Sequence, residues 1–507
     1  MNYYRPEWTC GRFHKESSNA LMYNLLTGMV FLFQEESAEL IAEVINTKKN
    51  TKIDLVNISK NTGFLIKDIK EFFNGELLGQ GLILNNKITI EEKKTIKKEL
   101  IDSKKQFPAE KTELNSNSYI FDDAQDDYRS VLQLYNIPFN IAIELTYNCN
   151  EQCIHCYNPG AVRNKNEINN RKTKELTTNN YKKLIKELKE LGVVRVLLTG
   201  GDPFMRKDIW KIIELLYEND FAIDIKTNGL GLLGKEELLA QFYPLEVSLS
   251  VYSGIDDTHD RITNVKGSLQ KTIKCIENLY NLGINTKINS IIMKLNAKDY
   301  FTASIIAKKF AIRIDYDLKL SNAFDGDISV TKNLQVTDEL LEIILRDKRL
   351  ALYVSNNDSI KYKKNSEDFV CVAGINMFGI NPKGDVMPCH AFPMILGNIL
   401  NNPINEIINS ENAINWQRRS SFKYFEYCSK KEYCNYCNFC VGDNFIDNNS
   451  IDDPNKIGCY IAKTRMKIHN ELKLGKDPLN GLTIEERLNE INPPINDNFS
   501  KEIINVR

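Results

Sequence analysis

From Pro138 to Lys319 the sequence alternates short apolar segments with amphipathic ones, and this rhythm constrains the fold more than any other feature of the chain. Strands are predicted at "FNIAIEL", "VVRVLLTG", "FAIDIKTNG", "LEVSLSVY", "TKINSIIMKL" and "IRIDYDLKL". Helices fall between them, for example "NYKKLIKELKELG", "RKDIWKIIELLYEND", "SLQKTIKCIENLYNLG" and "KDYFTASIIAKKF". Six such repeats imply an α/β protein with a parallel sheet and outer helices, either an open doubly wound sheet or an incomplete barrel. Functional residues then belong at the carboxyl ends of the strands.

Upstream, Leu21 to Ile90 reads as a small mixed module. "MYNLLTGMVFLF" predicts two strands around a turn at Thr27-Gly28, and "SAELIAEVIN" a helix with Ser37 as its cap. "KDIKEFFNGELLGQGLILNNKITI" predicts a helix followed by a hairpin at Asn85-Asn86. That order fits a winged-helix-like domain over residues 1–100. Residues 101–135, with the acidic run "DDAQDD" from Asp122 to Asp127, read as a linker, helical and then extended. The strand–helix repeats occupy 136–325, a helical connection 326–365, a cysteine-rich domain 366–475 and a tail 476–507.

Composition excludes several classes. The 507 residues carry 66 Lys+Arg against 67 Asp+Glu, so no net field draws the molecule to nucleic acid or anionic lipid. Met1 to Lys15 is polar where a secretory signal needs an apolar core. The most apolar stretch, Leu21 to Phe33, is short and broken by Asn24, Thr27 and Gly28. The expectation is a cytoplasmic protein with no membrane partner. Twelve cysteines in a reducing compartment then point to metal and not to a disulfide framework.

Their placement supports this. Cys10 and Cys275 stand alone, Cys149, Cys153 and Cys156 form a trio, and seven more crowd Cys371 to Cys459. The trio lies in "ELTYNCNEQCIHCYNPG", which begins as the first predicted strand ends. Three soft thiolates on one loop can hold three corners of a cubane iron–sulfur cluster, leaving one iron open to bind and polarise a substrate. The alternative is a zinc knot, for which His155 is the nearby fourth ligand, poorly placed beside Cys156. His155 is expected to pack beside the cluster.

This loop and its setting resemble the radical S-adenosylmethionine superfamily, over about Asn140 to Lys319. The resemblance implies a partial (β/α)6 barrel and a [4Fe-4S] cluster whose open iron chelates the amino and carboxylate groups of S-adenosylmethionine. One electron then splits the sulfonium, giving methionine and a 5′-deoxyadenosyl radical that takes hydrogen from the substrate. In the same resemblance, Gly200-Gly201-Asp202-Pro203 is similar to a Gly-Gly-Glu-Pro turn whose backbone holds the methionine amino group, with Asp202 replacing Glu. "KTNG", with Asn228, closes the third strand, and Ser250 corresponds to a ribose contact. His259 and Asp260, in "THDRITNVKGSL", are expected to cap and orient their loop.

The C-terminal stretch runs Cys371, Cys389, Cys428, Cys434, Cys437, Cys440 and Cys459, and "GINPKGDVMPCHAFPMILGNI" sets Gly384 before Cys389. It resembles the SPASM extension, which carries two auxiliary [4Fe-4S] clusters, although here the long gap comes first in the later block. By chain order that resemblance gives Cys371, Cys389 and Cys440 to a first auxiliary cluster with an open iron. Cys428, Cys434, Cys437 and Cys459 would close the second. The alternative is a treble-clef zinc module, suggested by "CNYCNFC".

Proteins of this kind commonly modify peptides. The N-terminal module resembles the element that binds leader peptides of ribosomally made natural products by adding a strand to its sheet edge. Its mixed charges argue against a DNA-binding winged helix and an iron–sulfur sensor. The sequence therefore predicts a precursor-peptide maturase that forms Cys thioether crosslinks, served by an external flavodoxin or ferredoxin and without a nucleic-acid partner. A carbon–carbon crosslink and a sulfatase-maturing, formylglycine-forming activity are the alternatives. The latter branch places an Asp after the Cys of the Gly-x4-Cys step, where this chain has His390.

Overall fold

The computed structural model describes residues 2–106, 123–158, 175–324, 328–350, 353, 367, 369–437, 440–477 and 479–491. The predicted linker, helical connection and tail therefore lie partly outside the described residues. Among the described residues no helix is long and apolar enough to cross a membrane.

The amino-terminal module opens with an antiparallel meander, β1 (Thr9–His14), β2 (Asn19–Asn24) and β3 (Met29–Gln34). Asn24 Oδ1 accepts the amides of Leu26 and Thr27 and so shapes the predicted turn. Three helices follow, α1 (Glu35–Asn46), α2 (Leu55–Thr62) and α3 (Ile66–Phe72). Ser37 is not the cap of α1; Gln34 is, and the two exchange hydrogen bonds in a capping box. The predicted hairpin at Asn85-Asn86 does not form. Leu84 instead exchanges backbone hydrogen bonds with Tyr4 at 2.8 and 2.9 Å, an edge that strand periodicity within the hairpin segment could not reveal.

All six predicted strands of the barrel are present: β4 (Asn140–Glu144), β5 (Arg195–Thr199), β6 (Ala222–Thr227), β7 (Glu246–Ser250), β8 (Thr286–Ile291) and β9 (Arg313–Asp317). They pair in parallel in chain order, which selects the partial barrel with consecutive crossovers. Each intervening helix buries one stripe. The helix Thr178–Leu191 starts at a Thr177–Asn180 capping box and buries Tyr181, Leu184, Ile185 and Leu188.

Two departures from the sequence reading matter. First, the cysteine-rich region extends the same sheet: β10 (Met377–Ile380) pairs in parallel with β4, and β11 (Asp385–Met387) and β12 (Gly397–Asn398) continue antiparallel. Second, the segment read as an extended linker is a helix from Asp123 to Leu134. Its Tyr128 and Leu132 are fully buried in a core shared with Trp8, Cys10, Tyr23, Phe139, Val194 and Leu245. Phe139, Val194 and Leu245 precede β4, β5 and β7, so the module is seated on the amino-terminal end of the barrel. Likewise Ile484–Glu490, within the predicted tail, is a helix with Leu488 buried in the main core.

Candidate iron–sulfur site

The chain leaves β4 at Glu144 and turns into the loop that carries Cys149, Cys153 and Cys156. Three neighbouring elements fix this loop through hydrogen bonds. Gly201 N–H donates to Thr146 O at 2.7 Å and Asp202 N–H to Asn148 O at 2.9 Å, from the end of β5. Gln152 and Ile154 donate to Thr263 O and Ile262 O, each at 2.9 Å, at the end of the helix Asp256–Thr263. The third is β6, through Asn228, whose Nδ2 donates to Asn150 Oδ1 at 2.6 Å and to Cys149 Sγ at 3.6 Å.

The two glycines are dictated by this crossing. A Cβ on Gly200 would lie 2.4 Å from Thr146 O, and one on Gly201 2.3 Å from Asn148 O; Gly200 also has φ +126°. Asp202 faces inward. Its Oδ1 accepts Phe204 N–H at 2.9 Å, and its Oδ2 accepts the Thr227 hydroxyl at 2.6 Å and Asn228 N–H at 3.0 Å. It ties β5 to β6, and Pro203 is buried beside it in the short turn Pro203–Met205. Ser250 ends β7 in register with Asn289 of β8.

The three thiols lie within electrostatic reach of one another. Burial pushes the Cys149 thiol up to about 12, and Cys153 is raised further by burial, by Glu151 and by its sister thiols. Glu151, which the sequence reading passed over, is buried in the loop and accepts from Cys153 at 3.4 Å; burial lifts its carboxyl to about 8. Thiols so placed stay protonated until a cation replaces their protons, as a soft-metal centre does. All twelve cysteines are free. His155 sits edge-on to Tyr252 with ring centroids 4.7 Å apart. His259 Nδ1 accepts Tyr252 N–H at 3.2 Å, and Asp260 accepts from Ser268 Oγ at 2.9 Å and Leu269 N at 3.1 Å, the orienting roles expected of both.

The C-terminal cysteines fall into two groups. The Cys371 thiol is felt electrostatically by Cys389 and by Cys440. Cys428 feels Cys434, Cys437 and Cys459. These last four, with Cys440, line one small cavity that Lys319 also borders. Lys319 is paired with Asp443 and lies within electrostatic reach of Cys440 and Cys437. The Cys389 loop also reaches inward, because its thiol feels both Lys226 of β6 and Glu144 of β4.

A half barrel with three thiols on the loop after its first strand, continued by a cysteine-rich extension of the same sheet, defines an iron–sulfur enzyme. Residues 143–302 match the Radical SAM superfamily, and residues 371–440 match SPASM, an iron–sulfur cluster-binding domain. The chain thus carries a radical S-adenosylmethionine domain followed by a SPASM domain, and its cofactors are S-adenosylmethionine and more than one [4Fe-4S] cluster.

Among its relatives, the PqqA peptide cyclase of Bradyrhizobium diazoefficiens is 26% identical over 317 residues, covering 59% of this chain and 77% of the relative. The mycofactocin maturase MftC of Mycolicibacterium smegmatis is 24% identical over 268 residues, covering 50% of this chain and 64% of the relative. Among solved structures, Streptococcus suis SuiB bound to its precursor peptide SuiA covers 90% of this chain and 100% of its own, with a TM-score of 0.53 at 17% identity. At that identity the likeness bears on the fold alone.

Proposed function

We propose that this chain is a radical S-adenosylmethionine maturase of a ribosomally made precursor peptide, and that it joins a peptide cysteine sulfur to an α, β or γ carbon. The peptide class is supported by the PqqA cyclase and mycofactocin maturase relatives and by the fold shared with SuiB. The cluster bound at Cys149, Cys153 and Cys156 supplies the 5′-deoxyadenosyl radical. Gly200, Gly201, Asp202, Pro203, Asn228 and Ser250 form the cofactor's surroundings, with Asp202 also tying β5 to β6. Cys371, Cys389 and Cys440 hold one auxiliary cluster with a position left for the substrate sulfur. Cys428, Cys434, Cys437 and Cys459 hold a second.

The thioether reading is supported by Cys389, which lies within electrostatic reach of Lys226 and Glu144 on the inner face of the barrel strands. The module of residues 2–84 binds the leader along the edge of β3, which among the described residues has one strand neighbour, β2. A flavodoxin or ferredoxin delivers the electron. The test is anaerobic turnover of a short Cys-containing peptide encoded beside this chain, with S-adenosylmethionine and dithionite. A thioether product has lost two hydrogen atoms and no longer alkylates at cysteine. A carbon–carbon crosslink would leave the thiol alkylatable, and formylglycine would react with a hydrazide.

A further inference from the structure

Alternate strand residues face the barrel lumen. Ile141, Ile143, Val196, Leu198, Ile223 and Ile225 belong to the core shared with the helices, so their neighbours in sequence point inward. Strand register then sets Glu144 beside Thr199, and Lys226 beside Ser248, in one layer just below Asn228 and Ser250.

Deeper carboxylates in the lumen are neutralised. Asp224 is paired with Arg195, and Glu246 with Lys287 at 3.1 Å and Arg313 at 3.0 Å. Glu144 differs. It is 1% exposed, and its Oε2 has no hydrogen-bond partner. A buried carboxyl left unsatisfied costs free energy that a Leu of similar size would avoid, so its presence calls for a ligand outside the chain. Its surroundings say where that ligand lies: Tyr147 and Tyr157 at the start and end of the radical loop, and Cys389 of the auxiliary loop, are all within its electrostatic reach.

We propose that Glu144 is a catalytic residue that contacts the peptide substrate and takes the proton released when the crosslink forms. The assignment rests on the crosslinking function given above. The overall step converts one S–H and one C–H into a C–S bond. The carbon-bound hydrogen leaves as an atom on 5′-deoxyadenosine, the sulfur-bound proton goes to the Glu144 carboxylate, and the remaining electron goes to an auxiliary [4Fe-4S] cluster as oxidant. Burial, which lifts the Glu144 carboxyl to about 8, suits a group that must both take and return a proton near neutral pH.

The test compares wild-type holoenzyme with Glu144→Gln and Glu144→Asp, using peptide deuterated at the carbon to be crosslinked. Glu144→Gln is expected to transfer deuterium to 5′-deoxyadenosine while crosslinked product falls about 100-fold or more. The peptide radical would then be quenched, so uncrosslinked peptide acquires solvent hydrogen. Glu144→Asp restores part of the product. Without cofactors, Glu144→Gln should melt close to wild type, because a neutral amide of the same shape replaces a carboxyl that burial largely keeps protonated. Product at the wild-type rate from Glu144→Gln would overturn the assignment, and so would loss of deuterium transfer. A wild type that transfers deuterium but forms no crosslink would instead defeat the crosslinking reading, and this assignment with it.

Discussion

Arg5 and Asp220 meet at 2.5 Å across the seam between the amino-terminal module and the barrel, each with a side chain less than a tenth exposed. Lys49 joins the same carboxylate at 3.1 Å, and Arg12 donates to the backbone carbonyls of Val193 at 2.8 Å and Asn219 at 2.8 Å. A module held this way moves with the barrel. Whatever it binds is presented at a fixed distance from the radical loop.

The seam makes a stability prediction. Asp220→Ala leaves Arg5 and Lys49 as buried, uncompensated cations, and is expected to cost about 3–5 kcal/mol, seen as a lower denaturant midpoint and as new proteolytic cuts in residues 2–106. Burial alone would raise the Asp220 carboxyl, but Arg5, Lys49 and Arg12 together hold it below its ordinary value. A depressed carboxylate contributes stability that is complete above the unfolded value and is lost as pH falls through the folded one. The wild-type seam should therefore stay closed at neutral pH and loosen only below about pH 4.

At the other end, Gly201→Ala should stop radical formation without unfolding the barrel. The added methyl would sit 2.3 Å from Asn148 O and 2.7 Å from Tyr147 O, so the loop bearing Cys149 must move. A displacement of about 1 Å at a reacting centre costs on the order of 100-fold. The measurement is 5′-deoxyadenosine release by the reconstituted protein, beside its circular dichroism; full release would show that the loop tolerates the shift.

Much of this was legible in the sequence. All six barrel strands were readable because each is a short apolar run bounded by turn residues, and the trio at Cys149 fell at a strand end. What stayed hidden depends on long-range pairing. β1 was missed because "TCGRFH" has no clean alternation: it buries Cys10 and Arg12 alike, Arg12 being matched by carbonyls nearly two hundred residues away. β10 was missed because four residues make a strand only where β4 offers an edge. Glu144 stood in plain view in "ELTYNC", yet only the inward parity of its strand distinguishes it from a surface carboxylate. Asp202 was legible as part of a local motif, but its hydrogen bonds to Thr227 and Asn228 of the next strand were not.

The geometry also constrains the peptide. The module lies at the amino-terminal end of the strands and the thiol loop at the carboxyl end, so a leader bound at β3 is separated from the chamber by at least the strand length. Five residues at about 3.3 Å each give roughly 17 Å, which an extended peptide crosses in no fewer than about five or six residues. A precursor shortened below that spacing between leader and first modified residue should keep its affinity, measured by fluorescence anisotropy, and lose modification. Efficient modification of such a peptide would mean that the leader binds elsewhere.

The two auxiliary groups can be separated by single substitutions. Cys440 borders the five-cysteine cavity but also feels Cys371, whereas Cys434 feels Cys428 and Cys459. If Cys440 belongs with Cys371 and Cys389, then Cys440→Ala should match Cys371→Ala in iron content and in the paramagnetic signal it loses, and Cys434→Ala should remove a different signal. Both should still cleave S-adenosylmethionine, because the hydrogen bonds that fix the segment from Asn148 to Ile154 come from the ends of β5 and β6 and from the helix Asp256–Thr263. Only the first pair removes the site expected to hold substrate sulfur, and those variants should release 5′-deoxyadenosine without crosslinked peptide. Loss of the same signal from Cys440→Ala and Cys434→Ala would instead assign Cys440 to the cavity it borders.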